Sequence, residues 1–383
     1  MSQRLKTDWI LFATVIVLIT VGLVILYSAS SIMASVDARY GWDWYFVARQ
    51  LGWAIASVFI MMALKHTNYR KLNNSALAFG SIGISLMLLT AVYFLDGHHR
   101  WLRIPHTPFG LQPSELAKPA LVVFLAFFVG WRGRAINNPR HTLIPAALAV
   151  GFVIFAVVVA DLGTAVVLGV ASMVVFFVAG MQWRYCGIAA AIALLGLGVS
   201  IYREPYRLAR VVHFVDPHFT FLSKFDKSGS VRTRMQKSLA TRDTNYQSEQ
   251  SKIAVGAGGT LGVGLMNGKQ KLLYLPEAHT DFIYAVVGEE LGTVGAGGVL
   301  LCFAVIFWRG LRAAWRMNDD FGRYLALGAT IVVVVQGFIN MSVVLGMMPT
   351  KGIPLPMISY GGSSLLSTLA LLGILMNVSE NAG

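Results

Sequence analysis

The stretch TLIPAALAVGFVIFAVVVADLGTAVVLGVASMVVFFVAGM, residues 142–181, decides the fold. It is about twice the length of roughly 20 residues that a helix needs to cross a hydrocarbon core. Its one polar break is Asp161-Leu162-Gly163. The stretch therefore reads as a hairpin of two membrane spans, 142–160 and 162–181, turning at Asp161. Outward from it, apolar runs at 9–30, 46–64, 75–95, 112–131, 185–201, 283–308, 324–348 and 357–379 repeat the pattern. The first run is too long for the core of a signal peptide, about 7–15 residues, and reads as an uncleaved anchor. The expected fold is an all-α polytopic membrane protein of about ten transmembrane helices, with 1–383 as a single membrane domain. Composition agrees: only 13% of the 383 residues are charged, against about 25% in soluble domains. Cys186 and Cys302 lie in separate apolar runs and offer neither a disulfide framework nor metal-ligand spacing.

Charge in the short connections alternates. Thirteen basic residues fall on one side: Arg4, Lys6, Lys65, Arg70, Lys71, Arg132, Arg134, Arg140, Arg184, Arg309, Arg312, Arg316 and Arg323. Arg39, Arg100, Arg103 and Lys351 are the four on the other. By the positive-inside rule both termini are expected in the cytoplasm. The long connection 202–282, between the seventh and eighth spans, is then extracytoplasmic. It carries twelve Lys or Arg against seven Asp or Glu, which suits an anionic partner such as a lipid phosphate or diphosphate or a merely solvated basic surface. The net charge of +13 does not point to nucleic acid, since no stacking or groove-reading motif accompanies it.

Ionisable groups in or beside the spans mark candidate sites, because charge within a bilayer is costly. Glu115 and Lys118 are three apart and share a helix face. They are either an ion pair fixing helix packing or a substrate-facing pair. Asp161 is either the N-cap of the following helix or a site residue. Glu289 follows Asp281 by eight residues, about 80° round a helix that reaches back that far, and Glu290 points to the opposite side. Lys351 stands alone among Pro349, Pro354 and Pro356, where an ammonium can meet a phosphate.

The glycine-rich run 256–264 fails the dinucleotide and P-loop spacings and reads as a tight turn or close backbone packing. GxSxG, HExxH and CxxC are all absent. What remains is Tyr274-Leu275-Pro276-Glu277-Ala278-His279-Thr280-Asp281-Phe282. In an extended segment Glu277, His279 and Asp281 share one face. A carboxylate there can take a proton from a sugar hydroxyl; the three groups together can also hold a divalent cation such as Mg or Mn.

The chain resembles the FtsW/RodA family, the shape, elongation, division and sporulation proteins, over nearly its whole length. The resemblance rests on Arg100-Trp101 with Gln112 to Lys118, Asp161 to Thr164, Tyr206-Arg207 with Arg210 and Asp216-Pro217, and Tyr246-Gln247 with Gln250-Ser251. It continues in Pro276 to Phe282 with Gly288 to Gly292, and in Pro349 to Ser364. It implies a peptidoglycan glycosyltransferase of the bacterial cytoplasmic membrane that polymerises lipid II, releases undecaprenyl diphosphate and works with a class B penicillin-binding protein. The family's essential loop aspartate falls on Asp281. Substrate contacts are expected from Glu115, Lys118, Arg207, Arg210, Gln250, Glu277, His279, Lys351 and Ser359, with Asp161 and Glu289 in support. The pieces 275–280 and 350–352 look closer to the division branch, and 353–356 to the elongation branch; division is the preferred reading. The rival readings are a lipid II flippase and a scaffold for a penicillin-binding protein. No internal repeat of the kind many transporters show relates the two halves.

Overall fold

A computed structural model of the protein describes residues 7–36, 41–96, 100–103, 110–216, 244–271 and 275–382. The central part of the long connection, 217–243, and residues 272–274 lie outside these segments. In chain order the helices are α1 (Trp9–Val36), α2 (Tyr45–His66), α3 (Ser75–Leu95), α4 (Pro113–Arg132), α5 (Ile144–Ala160), α6 (Leu162–Val178) and α7 (Trp183–Arg203). Then come α8 (Pro205–Val215), α9 (Thr244–Gly258), α10 (Ile283–Arg316), α11 (Asp320–Val344) and α12 (Gly362–Asn381). Among the described residues, nine helices are long and apolar enough to cross a membrane, counting α5 with the turn before it as Pro139–Ala160. The tenth expected span, α6, is 17 residues long and pairs with α5 as the hairpin foreseen at Asp161. Two-residue strands, β1 (Leu102–Arg103) and β2 (Gly110–Leu111), pair antiparallel between α3 and α4. The helices α8 and α9, within the long connection, were not anticipated from the sequence.

Burial follows polarity. Helices α4, α11 and α12 carry Glu115, Lys118, Gln336, Asn340 and Asn377, all buried, and form the centre of the bundle: 83% of the apolar window of α12 is buried. Helix α7 is apolar all round with no such group, and only 6% of its window is buried, so its surface is left for lipid. Between lipid-facing helices the hydrophobic drive is weak, and buried polar groups and close packing carry much of the association.

The eighth span departs from expectation. Helix α10 is broken at Gly292, whose φ of 67° and ψ of −167° end one helical piece, residues 283–291, before the next begins. A break leaves amides and carbonyls without helical partners, which at membrane depth is tolerated only if protein satisfies them. The glycine-rich segment after α9 does so. Val263 and Gly264 donate to the carbonyls of Glu289 and Glu290 at 3.0 and 3.1 Å. Thr293 and Val294 in turn donate to those of Gly259 and Thr260 at 2.9 and 3.2 Å. Of the two readings of the run, a tight turn or close backbone packing, the second is plain here: a Cβ on Gly262, at φ +82°, would collide with the Glu290 carbonyl. Below the break, Glu289 accepts from the amide of Lys269 at 2.7 Å. Glu290 accepts from Lys271 Nζ and Ser28 Oγ, both at 2.6 Å.

Helix α12 begins at Gly362 rather than near 357, because Pro354, Pro356 and Met357, with φ +68°, hold the preceding chain in an irregular path. Gly262→Val should cost on the order of 3 kcal/mol through backbone strain and displaced pairing. It should therefore lower the thermal unfolding midpoint of the purified protein by several degrees. Gly297→Ala, where an added Cβ meets nothing within 4 Å, should leave it unchanged.

Candidate active site

Three irregular segments meet beside the broken helix: the turn 275–282, the connection 346–361, and the Asp161 corner. The turn is not the extended strand expected from the sequence. Glu277 sits at φ +56°, after a proline, and residues 276–282 run as successive turns. Side chains therefore do not alternate as in a strand, although Glu277 remains an electrostatic neighbour of both His279 and Asp281. The His279 ring packs 4.9 Å from that of Phe46 and 6.0 Å from that of Tyr360. Glu277 accepts from Thr280 Oγ1 at 2.9 Å. Among the described residues no three His, Cys, Asp or Glu side chains converge as a metal set, so the divalent-cation reading does not fit this geometry. Helix α10 starts at Ile283 and does not reach back to Asp281. Glu289 thus shares no helix with it and instead holds the 269–270 backbone.

Asn340, on α11, fixes the turn. Its Nδ2 donates to the carbonyl of Asp281 at 2.8 Å and to that of Ile353 at 2.7 Å. Ser359 adds a second tie: its hydroxyl donates to the Thr280 carbonyl and accepts from the Leu355 amide at 2.8 Å. Tyr360 N donates to the His279 carbonyl at 3.0 Å. Gln50, from α2, closes the frame by bonding the Ser359 carbonyl and the Gly361 amide. The Asp281 carboxyl then lies against Gly352, where a Cβ would collide with Oδ2.

Asp161 caps α6, accepting from Gly163 N at 2.8 Å and Thr164 Oγ1 at 2.7 Å. The capping role is present, and so is a site environment, because Lys351, Arg100 and Asp281 are its electrostatic neighbours. Ile353 packs onto Gly163 and brings the lysine segment to this corner. The buried Nζ of Lys351 has no hydrogen-bond partner among the described residues. On α8, Arg210 donates to the Thr350 carbonyl at 2.8 Å and stacks 4.2 Å over the Tyr206 ring. Arg207 donates to Ser200 at 2.6 Å.

These charges tune one another. Burial, then Glu277 and Asp161, push the Asp281 carboxyl up to about 7 against the opposing pull of Arg100 and Arg210. Burial, followed by Arg207, Arg210 and Arg100, pulls the Lys351 ammonium down to about 7, with Asp161 opposing. Burial also lowers the His279 imidazole, against Glu277, which favours its neutral form. A carboxyl and an amine sharing the neighbours Asp161, Arg100 and Arg210, each poised near neutrality, is the pattern expected of proton-transfer and anion-binding groups.

The remaining expected residues lie elsewhere. Lys118 donates to Glu115 Oε2 and Gln336 Oε1, both at 2.6 Å. Ser367 also donates to Glu115, and Gln336 reaches the Pro354 carbonyl at 2.9 Å. The pair is about 1% exposed, neutralises itself, and braces the lysine segment from beneath. Gln250 is half-buried on α9, and no hydrogen bond joins it to the Asp281 turn. The sequence reading missed Arg100 as a charge facing Asp281, although Arg100-Trp101 had been singled out. It also missed Asn340 and Gln336, whose signal was there: amides four apart on one face of an apolar span.

The FtsW/RodA/SpoVE family description, "Cell cycle protein", matches residues 8–383. A probable peptidoglycan glycosyltransferase FtsW of Geobacter sp. (strain M18) is 36% identical over 97% of this chain and 96% of its own. Stage V sporulation protein E of Bacillus subtilis (strain 168) is 33% identical over 99% and 98%. Among solved structures, a chain described under "Structural coordination of polymerization and crosslinking by a peptidoglycan synthase complex" superposes with a TM-score of 0.73. Its identity is 28%, with 98% of both chains covered. Thermus thermophilus rod shape determining protein RodA gives a TM-score of 0.67 at 25% identity, over 99% of this chain and 98% of that one. By sequence across its length and by fold, the chain belongs to the FtsW/RodA/SpoVE family.

Proposed function

We propose that this protein is a peptidoglycan glycosyltransferase that polymerises lipid II at the outer face of the cytoplasmic membrane, with Asp281 as the general base. The observation that carries the base assignment is the buried Asp281 carboxyl, pushed up to about 7, at a corner where Lys351 Nζ has no hydrogen-bond partner among the described residues. The substrate class comes from the FtsW relatives, named as peptidoglycan glycosyltransferases.

In the proposed step Asp281 takes the proton of the acceptor GlcNAc 4-hydroxyl as that oxygen bonds the donor's anomeric carbon from the face opposite the leaving group. The bond from that carbon to the diphosphate oxygen breaks with its electron pair, so configuration inverts and undecaprenyl diphosphate departs as an anion. General base catalysis of this kind contributes about 10²–10⁴-fold. Lys351 and Arg210 are placed to stabilise the departing charge, with Arg207 and Arg100 reinforcing the positive field. A diphosphate leaves without protonation, so no strong general acid is needed, unlike glycoside hydrolysis. The Glu115–Lys118 pair, already neutral, acts here by holding the lysine segment in place. A role in division is favoured by the FtsW names of several relatives. A crosslinking partner, a class B penicillin-binding protein, is favoured by the likeness to a chain of a peptidoglycan synthase complex.

The test is polymerisation of purified lipid II by the reconstituted protein with its cognate partner. Glycan strands should form; label crossing a sealed bilayer without product would favour transport instead. Asp281 works deprotonated, so kcat/KM should rise with pH through about 7, and Lys351 works protonated, so it should fall again above that range. Arginine does not deprotonate in this range, so Lys351→Arg should remove the alkaline limb and keep the acid one. Asn340→Ala should lower kcat roughly tenfold or more, since a misplacement of about 1 Å at a reacting group costs that order. Its effect on KM should be smaller.

A further inference from the structure

At the opposite end of α10 its last two turns carry Arg309, Arg312 and Arg316. Spaced i, i+3 and i+7, they form one stripe. The stripe borders a cavity of about 260 Å³ that is also lined by Thr7, Asp8, Trp9, Ile10, Ala313 and Ser379. At about 30 Å³ per water this space holds a phosphorylated headgroup but not a whole lipid.

Among the described residues Asp8 is the single acid of the lining, and it is fully engaged. Its carboxylate accepts from Arg309 at 2.8 Å, from Ser379 Oγ at 3.1 Å and from Leu11 N at 3.2 Å. The guanidiniums of Arg312 and Arg316 have no ion-pair partner among the described residues. A cation in the last turn of a helix also offsets the carbonyl dipole. That accounts for Arg316, but not for a stripe of three closing round a cavity. Beside the cavity Trp9, Ile10 and Trp315 are exposed, as side chains at the boundary between headgroups and acyl chains are. The charge count places this end in the cytoplasm, where the leaflet is anionic.

We infer that the cavity between the start of α1 and the end of α10 binds the headgroup phosphate of an anionic phospholipid. Arg312 and Arg316 hold the phosphate, Ala313 leaves the floor open, and the acyl chains run along Trp9 and Ile10. The same guanidiniums suit a free phosphate, so the test separates the two sources.

Full-length protein is transferred to mixed micelles with equal phosphatidylglycerol and phosphatidylcholine, and retained lipid is read by native mass spectrometry. The wild type should retain phosphatidylglycerol with roughly thirtyfold preference, as two basic residues at a membrane surface supply. Arg312→Gln with Arg316→Gln should fall to parity. So should Ala313→Leu, which fills the floor and keeps every charge. Preference surviving in Ala313→Leu would reduce the stripe to a general basic surface and overturn the site. Preference surviving in the double glutamine variant would overturn it as well. Displacement of the lipid by excess inorganic phosphate would assign the cavity to a soluble anion and overturn the lipid assignment.

Discussion

The side-chain amide of Asn340 bonds the carbonyls of Asp281 and Ile353 at once, and the rest of the site depends on that bridge. Both carbonyls belong to irregular chain at the end of a membrane bundle, where an unpaired backbone group costs several kcal/mol. One amide satisfies two acceptors and holds the carboxylate segment against the lysine segment. Ser359, Gln50 and Gln336 repeat the device around it, each a side chain serving backbone from a neighbouring element. The broken span does the same with backbone alone, drawing its partners from the glycine segment. At both of these places the protein itself completes the hydrogen bonds of the non-helical chain.

That frame permits an arrangement the groups would not adopt freely. Asp281 and Asp161 are carboxylates in one corner with Lys351, Arg100 and Arg210, and among the described residues no tight ion pair closes on Asp281. A tight pair would hold Asp281 ionised and weakly basic. Burial without it leaves the carboxyl titrating near the pH at which a base must work. Glu115 and Lys118 show the contrast: they are in direct contact and sealed from solvent.

The spans were legible because runs of about 20 apolar residues have one stable form in a bilayer. The hairpin at Asp161 followed from length and a single polar break, and its cap from residue type. The close packing of the glycine run was read from failed motif spacings. The break at Gly292 was not legible, because its partners lie about thirty residues upstream and glycine alone is common in membrane helices. Nor was the shape of 276–282: strand alternation was assumed, whereas the turn is tied through its 279–281 carbonyls to Asn340 on α11, the Ser359 hydroxyl and the Tyr360 amide, contacts that local propensity does not reveal. Asp281 as a candidate came from its residue type and place; the proposal that it is the base came with the resemblance. Asn340 was passed over because charged groups were sought in the spans and neutral amides were not.

The account stands most directly on the Asp281 carboxyl itself. Polymerisation of lipid II by Asp281→Asn, measured beside its thermal unfolding midpoint, isolates it, since the amide keeps the shape and removes the basicity. The account expects a loss of about 10²-fold or more with the midpoint unchanged or slightly raised, because a costly buried charge is gone. Glycan strands forming at the wild-type rate in a folded Asp281→Asn protein would contradict it.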